Sequence, residues 1–145
     1  MKQLLKSWLP VISGTRKFLA TDLAHRLSRV INRRNFEVVF EGFIDLHNIN
    51  SEQPDIVVYN KEDALKPVMI LEICDNQSQE STVRTMEILG SIYHVDETFI
   101  FNMESGTWLL YRNGGHVFEK TSYSRHFNTD LSRLLYVNGY FRIAV

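Results

Sequence analysis

The stretch PDIVVYNKEDALKPVMILEIC, residues 54–74, carries the reading that decides the fold. After Pro54, the run DIVVY is continuously β-branched or aromatic apart from its first residue, as expected of a strand buried on both faces. The charged segment Asn60–Lys66 connects it to a second run, VMILEIC (Val68–Cys74), apolar throughout except for Glu72. A carboxylate inside such a strand is expensive to bury unless it is paired or bound to a cation. Asp55 stands at the mouth of the first strand and Glu72 lies seventeen residues later, within the second.

Upstream, Leu19, Leu23, Leu27, Val30 and Ile31 recur on one face of a 3.6-residue period, which predicts an amphipathic helix over Thr15–Arg34 with Arg26, Arg29 and Arg33 on its other face. From Phe36 the period changes to two. Phe36, Val38, Phe40, Gly42, Ile44 and Leu46 alternate with Glu37, Glu41, Asp45 and His47, predicting one long strand before the polar loop Asn48–Gln53. Downstream, Gln77–Val95 reads as a helix. Phe99–Asn102, Thr107–Arg112 and His116–Thr121 read as a meander separated by the turn signals ESG and NGG. A short helix over Asp130–Leu135 and the apolar tail YFRIAV complete the pattern, which contains no repeat. This order predicts an α/β protein, a mixed central sheet flanked by helices.

With 145 residues, the expectation is a single domain spanning 1–145. The 44% apolar fraction excludes a disordered chain, and the longest stretch free of Asp, Glu, Lys and Arg, Ser7–Thr15, is too short for a membrane helix. The lone Cys74 admits no internal disulfide and no four-ligand zinc set, which suits a soluble cytoplasmic protein. A net charge of −1 conceals two opposed parts: +7 through Arg34 and −8 over the rest. The basic Arg26, Arg29 and Arg33 stripe is either a solvated helix face or a source of sequence-independent attraction to phosphates.

Asp55 and Glu72 give the chemistry its centre. If their strands are neighbours, both carboxylates converge on one hard cation, since Mg²⁺ is commonly held by one or two carboxylates plus waters and phosphate oxygens. Pro54-Asp55, a spacer and then Glu72 in an apolar strand resemble the PD-(D/E)xK signature of the restriction-endonuclease-like superfamily. From PDIVVY through VMILEICDN, SIYHVDETFIFN and SGTWLLYRNGGHVFEK, the chain is similar to a large bacterial group of nucleases of that superfamily.

The resemblance implies a restriction-endonuclease-like fold and Mg²⁺-dependent (or Mn²⁺-dependent) endonuclease chemistry on nucleic acid, DNA foremost. A homodimer is compatible with it. Carried over by position, Asp55 and Glu72 match the metal-binding acids, the carbonyl of Ile73 matches a backbone ligand, and Glu41 matches an acid on the preceding strand. The superfamily's lysine, two residues past the acid or fourteen residues on in the following helix, meets Cys74 and Met86 here. Arg84 is the nearest cation in sequence to stand in for it. The alternative is a noncatalytic nuclease fold serving as a nucleic-acid-binding or protein-interaction module. Cys74 itself reads as a small buried hydrophobe, and the five histidines show no metal-ligand spacing.

Overall fold

The computed structural model describes residues 15–135; the basic Lys2 and Lys6, Trp8 and the tail YFRIAV lie outside the described residues. Helix α1 (Thr15–Val30) leads into strands β1 (Phe36–Phe40), β2 (Ile56–Asn60) and β3 (Lys66–Cys74). Helix α2 (Gln79–Ile92) follows, then β4 (Glu97–Asn102), β5 (Trp108–Arg112), the short β6 (Tyr123–Ser124) and β7 (Thr129–Asp130), and the one-turn helix α3 (Leu131–Leu134).

The first five strands form one sheet in the order β1-β2-β3-β4-β5. Every neighbouring pair is antiparallel except β3 and β4, which run parallel. Two parallel neighbours need a crossover, and α2 supplies it. The sheet is covered on both faces, which is why its central strands read as unbroken apolar runs. Leu19, Leu23 and Leu27 of α1 pack with Ile56, Val58, Leu71, Phe99 and Phe101 on one face, while Met86 of α2 packs with Val57, Tyr59, Ile70, Cys74 and Ile100 on the other. This is the mixed α/β architecture expected from the order of elements.

Three segments differ most from the sequence-based expectation, each for a local reason. Helix α1 stops at Val30 rather than Arg34: Asn32 accepts the Arg34 N–H on its side chain and the Phe36 N–H on its carbonyl, a turn that ends the helix. The strand from Phe36 ends at Phe40 rather than continuing to His47. Glu41 takes a left-handed backbone (φ 53°), and Asp45 then accepts the His47 N–H in another side-chain turn. Alternation survives the change of structure, since Gly42 and Ile44 are buried off the strand. Finally, His116–Thr121 forms no strand; it touches β5 through one two-way bridge, Leu110 to Glu119, with both hydrogen bonds at 2.8 Å. That bridge still shields part of the β5 edge.

Glu97, at the start of β4, is a buried carboxylate with structural partners. Ser124 Oγ donates to it at 2.5 Å, the Arg125 N–H at 2.9 Å, and Arg112 Nη1 lies 3.5 Å away. These contacts tie the segment carrying β6 and β7 to the sheet. Gly90 sets the approach of α2: a Cβ there would lie 2.5 Å from Thr98 Oγ1, a fully buried group on β4. Alanine is favoured by about 1 kcal/mol over glycine in an unobstructed helix. Gly90→Ala is nevertheless expected to destabilise the protein by about 1–2 kcal/mol, because the buried Thr98 would have to shift to admit the methyl group. A lowered urea midpoint checks this, and an unchanged or raised one contradicts it.

Candidate functional site

The β2–β3 ladder runs from Asn60↔Lys66 to Ile56↔Leu71, and continuing the register would set Ile73 against Pro54. Proline has no N–H to give the Ile73 carbonyl there, and the paired register stops at Ile56↔Leu71. Beyond it the Asp55 side chain meets β3 directly: its Oδ2 accepts the buried Ile73 N–H at 2.7 Å. Asp55 is thereby fixed at the strand end, only 7% exposed. Its backbone carbonyl accepts the Glu41 N–H at 2.9 Å, which joins the turn after β1 to the same point.

Glu72 lies on β3, one residue before Ile73, on the face that also presents Ile70 and Cys74. Between the two carboxylates sits Arg16, from the first turn of α1. Its Nε donates to Asp55 Oδ2 at 3.1 Å and its Nη2 to Asp55 Oδ1 at 3.2 Å, while the same Nη2 donates to Glu72 Oε1. One nitrogen thus receives an oxygen from each acid. Arg16, Glu72 and Met86, with the hydroxyl residues Ser81, Thr82 and Thr85 of α2, line an open cavity of about 210 Å³.

Electrostatics follow from this packing. Burial pushes the Glu72 carboxyl up to about 8; the hydrogen bond and charge of Asp55 add to the rise and Arg16 opposes it. Burial works against the charge of Arg16, but Asp55 and then Glu72 more than offset that, so its pKa lies above the usual arginine value. Cys74 is pushed up to about 11, chiefly by burial and then by the charge of the adjacent Asp75, so its thiol stays protonated at neutral pH. Asp75 is held below the usual aspartate range by the Ser78 N–H and hydroxyl, which makes it the start of a turn.

Of the residues singled out in the sequence, Asp55, Glu72 and Ile73 come together. Glu41 reaches them through its backbone, and its carboxylate does not complete a set: among the described residues, no group of three or more His, Cys, Asp or Glu is placed to hold a metal. Arg84 lies elsewhere, on the exposed side of α2. It is 3.8 Å from Glu80 and lines a separate open cavity of about 510 Å³ with Asn76, Gln79 and Val83. Met86, at the helix position where the lysine is expected, is 1% exposed. Arg26 pairs with Asp22 at 3.0 Å, Arg33 donates to the Ser28 carbonyl at 2.9 Å, and Arg29 is exposed; all three belong to the far end of α1 or beyond it.

Arg16 is the residue that sequence reasoning missed. In the sequence it is one basic residue among eight near the start of the chain, and only the packing of α1 on the sheet brings it to the acids. Its position tests whether the pair suits a divalent cation. Asp55 Oδ1 and Glu72 Oε1 already converge on a single positive centre, and two carboxylates are a sufficient protein contribution for Mg²⁺ or Mn²⁺. The donor set therefore fits such an ion.

No family model matches the chain, and no curated protein matches it. Solved structures do. The chain is similar to one described as "a putative nuclease belonging to DUF820" from Anabaena variabilis, at a TM-score of 0.63 and 16% identity over 85% of this chain and 83% of that one. The type IIG restriction endonuclease BpuSI also matches, at a TM-score of 0.48 and 18% identity, covering 87% of this chain but 16% of that far longer one. The first of these likenesses shows that the chain shares its mixed α/β fold with that protein.

Glu72 gives the metal-free protein a definite pH dependence. Between the ordinary glutamate value and about 8, the folded chain keeps a proton that the unfolded chain has released. The contribution of Glu72 to stability is therefore complete below that window and declines as pH rises through it. In chelator-treated buffer, the urea midpoint is expected to fall between about pH 5 and pH 8.5, and Glu72→Gln to flatten the fall. The same slope in wild type and variant contradicts the assignment.

Proposed function

We propose that this chain is a nuclease that hydrolyses nucleic acid phosphodiesters, DNA foremost, at the Asp55–Glu72 pair with the help of Mg²⁺ or Mn²⁺. The observation that carries the reading is the convergence of Asp55 Oδ1 and Glu72 Oε1 on one nitrogen, at the end of paired strands in a fold shared with the protein described as "a putative nuclease". A divalent cation bound by these acids supplies Lewis acidity toward a phosphate oxygen and lowers the pKa of its bound water.

The chain's own residues bind and orient. The Ile73 N–H fixes the Asp55 carboxylate so that its Oδ1 faces the site rather than solvent. The Ile73 carbonyl leaves the strand on the same side as its N–H, which makes it the natural third ligand. Glu72 contributes the second carboxylate from β3, where it pairs with Ile100 of β4. Arg16 balances their charge and presents guanidinium donors suited to a phosphate. At the far end of α1 and just beyond it, the exposed Arg29 and Arg33 offer sequence-independent contacts to the nucleic acid backbone, with Arg26 held by Asp22 on the helix.

A second reading has its own support. Cys74 and Met86 are both sealed in the core, so neither of those two positions supplies a lysine to orient the attacking water, and Arg84 points to another cavity. On this reading the fold binds nucleic acid, or a protein, without cleaving it.

A cleavage assay on supercoiled plasmid and on oligonucleotides with Mg²⁺ or Mn²⁺ separates the two. The nuclease reading expects cleavage that falls roughly a hundredfold or more in Asp55→Asn and Glu72→Gln and stays within about threefold in Arg84→Ala. Salt-sensitive binding without cleavage, unchanged in Asp55→Asn, supports the second reading instead. Neither cleavage nor binding at low salt rejects both nucleic acid readings.

A further inference from the structure

We infer that Arg16 is a built-in competitor for the cation site: its guanidinium and a divalent cation are alternative occupants of the Asp55–Glu72 pair. The inference rests on the reading of that pair as a divalent-cation site and adds a residue that controls its occupancy. Three observations support it. Among the described residues, Arg16 Nη2 is the atom that meets Asp55 Oδ1 and Glu72 Oε1 together, so an ion taking both oxygens needs the space and the charge balance that Arg16 now supplies. Two like charges cannot share one pair of carboxylates at contact distance without strong repulsion.

Arg16 also has a way out. Its side chain is 47% exposed, against 10% for Asp55 and 18% for Glu72, so the acids are anchored and the arginine is the partner free to move. Asp55 is held by the Ile73 N–H and Glu72 by its place in β3, whereas Arg16 swings from the first turn of α1 beside the open cavity lined by Ser81, Thr82 and Thr85. The apparent affinity for the cation is reduced by the fraction of time that Arg16 holds the pair. If Arg16 is seated about nine-tenths of the time or more, removing it tightens binding about tenfold or more.

Mn²⁺ titration calorimetry on the full chain tests this without reference to activity. Arg16→Gln, which keeps length and polarity but no charge, is expected to bind Mn²⁺ at least about tenfold more tightly than wild type. Arg16→Lys, which keeps the charge but cannot fork to both acids, is expected to fall between the two. Binding that appears only in Arg16→Gln supports the inference equally. Equal affinities in wild type and Arg16→Gln, both lost in Asp55→Asn, overturn it while leaving the cation site in place. No Mn²⁺ binding by either folded protein overturns the cation reading and this inference with it. Should Arg16→Gln fail to fold, Arg16→Lys decides: tighter binding than wild type supports competition, and equal binding rejects it.

Discussion

The site depends on how the β2–β3 ladder ends. The strand pairing stops at Ile56↔Leu71, and beyond it the Asp55 carboxylate accepts the Ile73 N–H at 2.7 Å. A buried N–H without an acceptor costs about 1–3 kcal/mol, so the acid is held by the same physics that holds the sheet. Once Asp55 is fixed, Glu72 one residue from Ile73 is necessarily close to it. Two carboxyl groups buried side by side then favour a nearby cation, with Glu72 itself held protonated up to about 8. In this chain Arg16 provides it, and α1 is thereby joined to the sheet end by charge as well as by the packing of Leu19, Leu23 and Leu27.

This arrangement explains why the sheet core and the carboxylate pair were legible in the sequence. DIVVY and VMILEIC announce doubly covered strands because their apolar runs have no polar face, and the single acid in the second stands out for the same reason. Boundaries were harder. The helix beyond Val30 and the strand beyond Phe40 keep their apolar periodicity, yet the Asn32 and Asp45 side chains compete for backbone N–H groups and turn the chain first. Glu97 was invisible as a buried acid because its partners, Ser124 and Arg125, lie far along the chain and reach it only through the β6–β7 segment.

Arg16 illustrates the same limit at the site. Local reasoning directs attention to Arg84, since α2 follows the acid-bearing strand directly, but the helix faces Met86 toward the sheet and leaves Arg84 beside Glu80. The cation that meets the acids comes from before β1, a contact that neither spacing nor periodicity encodes. It also recasts the charge asymmetry. The basic first part of the chain is the part that carries Arg16 into an acidic site at one end of α1 and leaves Arg29 and Arg33 exposed toward the other. With Cys74 protonated and Met86 sealed, the positive charge at the pair comes from an arginine rather than from a lysine.

The central claim, that Asp55 and Glu72 form one cation-binding pair, is tested most directly by crystals grown with saturating Mn²⁺. The account predicts an anomalous difference peak in contact with oxygens of both acids, with the Arg16 guanidinium turned out of the pair. Arg16 seated on both carboxylates and no anomalous peak at that position would contradict it.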